Sequence, residues 1–195
     1  KKLVHSTMLG FIATGMGLTV NDLRVEHLRN PLGVDRAQPR FRWVIGGNAH
    51  IRGLTQQSFR LTVSKGIETC SPVPHLEARS ASSCLWDSSW TASASSVDVP
   101  YRGPALQPGT VYSWSVSVKV MAHESNGTGL LLAATSQEEA YFSTGLPSRN
   151  DWVGHWIGMK EVDGVYGPAP WFRKTFYMPP WGAATASALL YVASA

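Results

Sequence analysis

Acid/base hydrolysis needs two carboxylates that share a site. Glu138 and Glu139 are adjacent in an extended region, where neighbouring side chains point to opposite faces, so they make no such dyad. Asp87 lies between Trp86 and Trp90 in LWDSSW (Leu85 to Trp90), and an aromatic shelf beside a carboxylate is one way to hold a sugar. A strand ending in a turn, with Trp86 in the core and Asp87 capping backbone, explains the same string and is preferred. His5, His27, His50, His75, His123 and His155 are scattered, with no HExxH spacing and no nearby cysteine pair, so none is expected to bind metal. Neither a GxSxG elbow nor a phosphate-binding loop occurs. Gly15-Met16-Gly17 precedes the first strand instead of joining a strand to a helix, which fails the context a nucleotide site requires. Arg36, Arg40 and Arg42 interleave with Phe41 and Trp43; alternation makes these arginines a solvated strand face in preference to a ligand site. No catalytic, cofactor-binding or metal residue is therefore assigned, and no cofactor is expected.

Composition narrows the class. The 195 residues are 44% hydrophobic and 15% charged, with eight Trp, 18 Gly and 12 Pro, a mixture that suits a buried core of short strands joined by punctuated turns. Full disorder is excluded. The net charge of +4 is concentrated in residues 1–60, where nine Lys or Arg face three Asp or Glu, yet no segment forms a dense basic patch. No nucleic-acid partner is expected. Cys70 and Cys84 are too few for a disulfide scaffold or a four-cysteine zinc site; they form either one loop-closing disulfide in an oxidising compartment or two unrelated thiols. The sequon Asn126-Gly127-Thr128 agrees with secretion, though localisation stays open. Lys1 and Lys2 precede the mostly apolar stretch Met8 to Leu18, so residues 1–17 read as a disordered leader or a signal-peptide remnant. This stretch is too short and glycine-rich to span a membrane as a helix, and no membrane partner is expected.

Positioning falls to strands. Tyr112, Trp114, Val116, Val118 and Val120 share one face of a strand whose other face is Val111, Ser113, Ser115, Ser117 and Lys119. Phe59, Leu61 and Val63 oppose Arg60 and Thr62, and Phe41, Trp43 and Ile45 oppose Arg40 and Arg42. Shorter alternations occur at Leu23 and Val25, at Val97, Val99 and Tyr101, and over Tyr141 to Ser143. Turn signals separate them at Asn30-Pro31-Leu32-Gly33, Gly46-Gly47-Asn48, Pro72 to Pro74, Pro108-Gly109 and Asn126-Gly127. Little helix is expected. In LQPGTVYSW (Leu106 to Trp114) a turn runs directly into a strand whose first inward residue is Tyr112. That is the pattern of a tyrosine corner, the phenol returning to upstream backbone and Leu106 packing beside the ring. The expected fold is all-β: a fibronectin type III-like, immunoglobulin-like Greek-key sandwich over residues 18–146, followed by an incomplete second β-sandwich.

Residues 147–195 read as a linker and the truncated start of that second domain. Gly145, Pro147, Ser148 and Asn150 mark the linker, and Pro170 to Met178 and Ala186 to Ser194 are its strand candidates. Two strands cannot bury both faces of a sandwich.

Read in order, VNDLRVEHLRNPLGVD (Val20 to Asp35), PRFRW (Pro39 to Trp43), LWDSSW, LQPGTVYSWSV (Leu106 to Val116), FSTGL (Phe142 to Leu146), DWVGHWIG (Asp151 to Gly158) and PAPWFRKTF (Pro168 to Phe176) resemble the amino-terminal region of bacterial and fungal α-L-rhamnosidases of glycoside hydrolase family 78. The resemblance runs from Val20 to Ala195. It implies a fibronectin type III-like module, then a second β-sandwich, and only later an (α/α)6 barrel with the catalytic acid and base. It also implies inverting hydrolysis of terminal α-L-rhamnose by the parent enzyme, whose partners are a rhamnosylated glycoside and, for this region, later domains of the same chain. No position matches the family's catalytic motifs, so no catalytic residue is carried over and the chain alone is expected to be inactive. Two strings depart from the family: Ser89 stands where a turn glycine is usual, and Ala134 to Glu139 replaces the usual approach to the last strand. The alternative is a free-standing extracellular carbohydrate-binding or adhesion module.

Overall fold

The computed structural model describes residues 13–14, 17–47, 52–66, 84–123, 129–137, 140–155, 157, 171–175 and 192. Its strands are β1 (Ala13–Thr14), β2 (Thr19–Val25), β3 (Arg40–Gly46), β4 (Arg52–Lys65), β5 (Cys84–Asp87), β6 (Thr91–Ala92), β7 (Val99–Pro100), β8 (Val111–His123), β9 (Gly129–Thr135) and β10 (Ala140–Ser143). The helical element among the described residues is a single 3-10 turn, Arg149–Asp151, capped by Ser148. None of the described helical structure is long and apolar enough to cross a membrane.

Alternation decides how these strands pair. The larger sheet runs β1-β9-β8-β4-β5, with β6 also on β4 and β10 also on β8, and the smaller runs β2-β3-β7. Pairing is antiparallel except between β1 and β9, where Ala13 and Thr14, inside the stretch read as a leader, pair parallel with Leu132 and Ala133. β9 and β10 follow one another along the same edge of β8, from Thr135 opposite Ser117 to Ala140 opposite Trp114. Between them Ser136 bonds Val116 twice, through its own N–H to the carbonyl and through its hydroxyl to the Val116 N–H.

The inward faces are those the periodicity predicts. Tyr112, Trp114, Val116, Val118, Val120, Phe59, Leu61, Val63, Phe41, Trp43, Leu23 and Val25 are all buried in one cluster drawn from both sheets. Aromatic pairs lock the layers together: Phe41 of β3 lies 4.7 Å from Trp114 of β8, and Trp43 of β3 lies 5.3 Å from Phe59 of β4. The corner is formed as well, since the Tyr112 hydroxyl accepts the Gln107 N–H at 2.7 Å while its ring stacks on Phe142. Leu106 packs against this core.

Two details differ from the sequence expectation. β8 is buried on both faces over much of its length, because Ser113 and Ser117 are small side chains on a strand flanked on both sides, and Thr62 and Ser64 on β4 share that fate. Ser117 bonds Thr135, and Thr62 bonds Ser115, so these hydroxyls are satisfied. Val97 does not continue the inward face of Val99 and Tyr101. It is exposed, because β7 is only two residues long and begins at Val99, so Val97 lies outside the strand.

The chain divides into two units, Lys1–Val153 and Gly154–Ala195. In the second, Trp171–Thr175, part of an expected strand, are not in a strand; Trp171 is fully exposed, and no ladder partner exists for the segment among the described residues. The rest of that candidate, and all of Ala186 to Ser194 except Val192, lies outside the described residues.

Candidate functional site

The LWDSSW string resolves into two faces. Trp86 turns inward, where its ring meets Tyr101 at 4.8 Å, while Asp87 and Trp90 lie on the outer surface. Asp87 is engaged by Arg60, whose Nε lies 2.9 and 3.0 Å from the two carboxylate oxygens and whose Nη2 closes the fork. It also caps the turn by accepting the Ser89 N–H at 2.8 Å. The Arg60 guanidinium holds the Asp87 carboxyl below the usual aspartate range. An aromatic shelf is not formed, since Lys119 Nζ sits 4.3 Å over the Trp90 ring and Trp86 packs, partly buried, against the core. Ser89 has φ 53°, the left-handed conformation in which glycine is favoured.

The arginines of β3 do face outward, but carboxylates answer them. Glu26 accepts from Arg40 (Nη2 at 2.7 Å, backbone N–H at 2.7 Å) and lies 3.4 Å from Arg36. Asp22 takes Arg29 at 2.7 Å, Arg24 at 3.0 Å and Arg42 at 3.9 Å. Arg29 and Arg24 lower the Asp22 pKa, and Arg40 lowers that of Glu26. Asp98 lies 3.3 Å from His27 Nε2 and 3.6 Å from Arg40. The alternation signal found the arginines; it missed these partners, because Asp22, Glu26 and Asp98 all have positive φ (49°, 47° and 55°) and so leave the regular strand geometry. The irregular pairing between Asn21 and Arg24 marks the same departure.

Sequence reasoning also missed a polar core pair. Trp43 Nε1 donates to Gln56 Oε1 at 2.9 Å, and the buried Gln56 amide donates to the Ser93 and Ser95 carbonyls at 3.0 and 2.8 Å. Beside it a groove of about 340 Å³ is lined by Arg42, Val44, Ile45, Leu54 and Val97 among others. Burial, with a smaller contribution from Tyr112, pushes the Tyr101 phenol up to about 12, and its buried hydroxyl has no hydrogen-bond partner among the described residues.

No group of three or more His, Cys, Asp or Glu suited to a metal ion exists among the described residues. His123 ends β8 and His155 lies in the second unit. Cys84 is disulfide-bonded, while Cys70, the only other cysteine of the sequence, lies outside the described residues. So do Asn126, Glu138, Glu139, His5, His50 and His75, and with them Gly15 and Met16.

Face-to-face antiparallel sheets, joined at a tyrosine corner, define an immunoglobulin-like β-sandwich. Its surface brings together ion pairs and a groove, and no pair of free carboxylates among the described residues. The family model of the Rha78A-like N-terminal immunoglobulin domain matches residues 20–148, and the chain belongs to that family. It is similar to the α-L-rhamnosidase of Streptomyces avermitilis, 32% identical over 183 residues that cover 83% of this chain and 16% of that protein. Among solved structures, the S. avermitilis α-L-rhamnosidase complexed with L-rhamnose superposes with a TM-score of 0.52 at 29% identity, covering 72% of this chain and 12% of that one. The α-L-rhamnosidase from Dictyoglumus thermophilum gives 0.51 at 28% identity, covering 73% and 14%. The chain thus spans less than a fifth of the length of the relatives it matches.

Proposed function

We propose that this chain is the non-catalytic amino-terminal part of an α-L-rhamnosidase, whose full-length form hydrolyses terminal α-L-rhamnose from glycosides with inversion. The carrying observation is the match of residues 20–148 to an amino-terminal immunoglobulin domain of rhamnosidase type, in relatives several times longer than the chain. Inversion requires a general acid at the leaving oxygen and a general base that activates water, on carboxyls far enough apart to admit that water. Here Asp22, Glu26 and Asp87 are each bound to arginines whose charge favours the carboxylate, the opposite of what a general acid needs. These groups hold the sandwich, and the reacting carboxyls belong to later domains against which this module packs.

The test compares two proteins on an aryl α-L-rhamnoside. The product of the full natural reading frame is expected to hydrolyse it with inversion at the anomeric carbon, and the purified 195-residue chain to show no turnover. Activity of the short chain that survives repurification and is lost in Asp87→Asn would overturn the reading.

A further inference from the structure

Past β10 the chain keeps making bonds although it has left both sheets. Gly145 is tied twice to the sandwich: its N–H donates to the Val34 carbonyl at 2.9 Å, and its carbonyl accepts the Gly109 N–H at 3.0 Å. Pro147 next fixes its own φ and disfavours a helical Leu146. Ser148 then opens the 3-10 turn Arg149–Asp151 with a complete capping box; its hydroxyl accepts the Asn150 N–H at 3.3 Å, and the Asp151 carboxylate accepts the Ser148 N–H at 2.9 Å. The Trp152 N–H bonds the Arg149 carbonyl at 3.3 Å, and its indole N–H reaches back to the Leu146 carbonyl at 3.2 Å. Residues 146–152 are thereby clasped end to end, and the compact unit runs on to Val153.

A single turn in open solvent does not hold itself, because nucleation fixes more dihedrals than its first bond repays. Here a proline, a reciprocal cap and an indole clasp act on one short run whose first residue follows the doubly tied Gly145. We propose that residues 145–153 form a rigid strut, an extension of the sandwich in place of a slack linker, which fixes the direction in which the chain leaves the domain. Ser148, Asp151 and Trp152 are its positioning residues. Such a strut limits the orientations open to the chain that follows, and so serves the packing of an amino-terminal module in a longer enzyme. That use rests on the rhamnosidase reading; the rigidity itself is a property of this chain.

The experiment uses the 195-residue chain and reads two quantities. Nitroxide labels on Val97→Cys and Val153→Cys, both exposed positions of the first unit, report a distance distribution by pulsed electron spin resonance. Cys84 is disulfide-bonded and takes no label. Nitrogen-15 relaxation reports backbone order. Expected are a single narrow distribution and order parameters over Arg149 to Trp152 of about 0.85, the value of rigid backbone. The double variant Ser148→Ala/Asp151→Ala should broaden the distribution at least twofold and bring those order parameters below about 0.6, with the values in β10 unchanged. Trp152→Phe, which loses the indole N–H and keeps an aromatic ring, should broaden it less, and Ser148→Thr, which keeps the capping oxygen, should leave it narrow. All three residues lie outside both sheets, so these variants keep the sandwich. A broad distribution or order parameters below about 0.6 without the capping variants, or a double variant as narrow as its parent, overturns the proposal and leaves the rhamnosidase reading intact. Rhamnosidase activity of the short chain would remove that reading and leave the strut.

Discussion

Gly145 lies against the backbone of Gly33: a Cβ on Gly145 would stand 3.2 Å from the Gly33 carbonyl oxygen. Around this contact Val34 N–H bonds the Ser143 carbonyl, Gly145 N–H bonds the Val34 carbonyl, and Gly33 N–H bonds the Ser143 hydroxyl across 110 residues of sequence. The opening motif is thereby laid along the closing one. Gly145→Ala must push backbone, not a flexible side-chain tip, and is expected to cost about 1–3 kcal/mol. Denaturant melts of the two proteins measure it; an unchanged midpoint would mean that the close approach is not maintained in solution.

The two buried tyrosines should respond oppositely to losing a hydroxyl. Tyr112→Phe breaks the bond from Gln107 N–H and is expected to cost about 1–2 kcal/mol. Tyr101→Phe removes a hydroxyl that is buried without a partner, and should be neutral or stabilising. Equal losses from both would show that the corner bond contributes nothing of its own.

Ser89→Gly relieves a left-handed serine at φ 53° and retains the backbone N–H that Asp87 accepts. Relief of the Cβ strain exceeds the added chain entropy of glycine, so a net gain of about 0.5 kcal/mol is expected. Thermal melts at pH 7 would register it as a small rise in Tm, and a fall would contradict the strained geometry.

Acid should weaken the sandwich through its arginine-bound carboxylates. The pKa values of Asp22, Glu26 and Asp87 are lowered on folding, so the stability they supply is fully present above the unfolded carboxylate range, near pH 4, and is lost as pH falls through the lower folded values. Stability to denaturant at pH 3 is expected to be less than at pH 7. Glu26→Gln should be less stable at pH 7 and lose less between the two; a variant with an undiminished pH response would assign the acid sensitivity elsewhere.

Cys84 should resist alkylation in unreduced protein and react after reduction, because it is disulfide-bonded. Intact mass after iodoacetamide treatment reads this directly.

Sequence by itself determined the sandwich and its layers. Period-two alternation is a local property: once Tyr112, Trp114 and Val116 must face inward, Ser113 and Ser115 face outward whatever the neighbours are. The tyrosine corner was equally legible, since the turn, Leu106 and Tyr112 lie within one short string. Only the tertiary structure decided what meets across long separations. Asp22 reaches arginines from two strands because a positive φ turns it out of the ladder. Trp43 finds Gln56, and Gly33 finds Gly145, only when the sheets close on one another. The exposure of Val97 has the same origin: its residue type signals an inward strand position, but β7 begins only at Val99 and leaves Val97 exposed on the groove lining. These outcomes depend on where strands stop and which edges meet, and neither is encoded in the spacing of residues along a single strand.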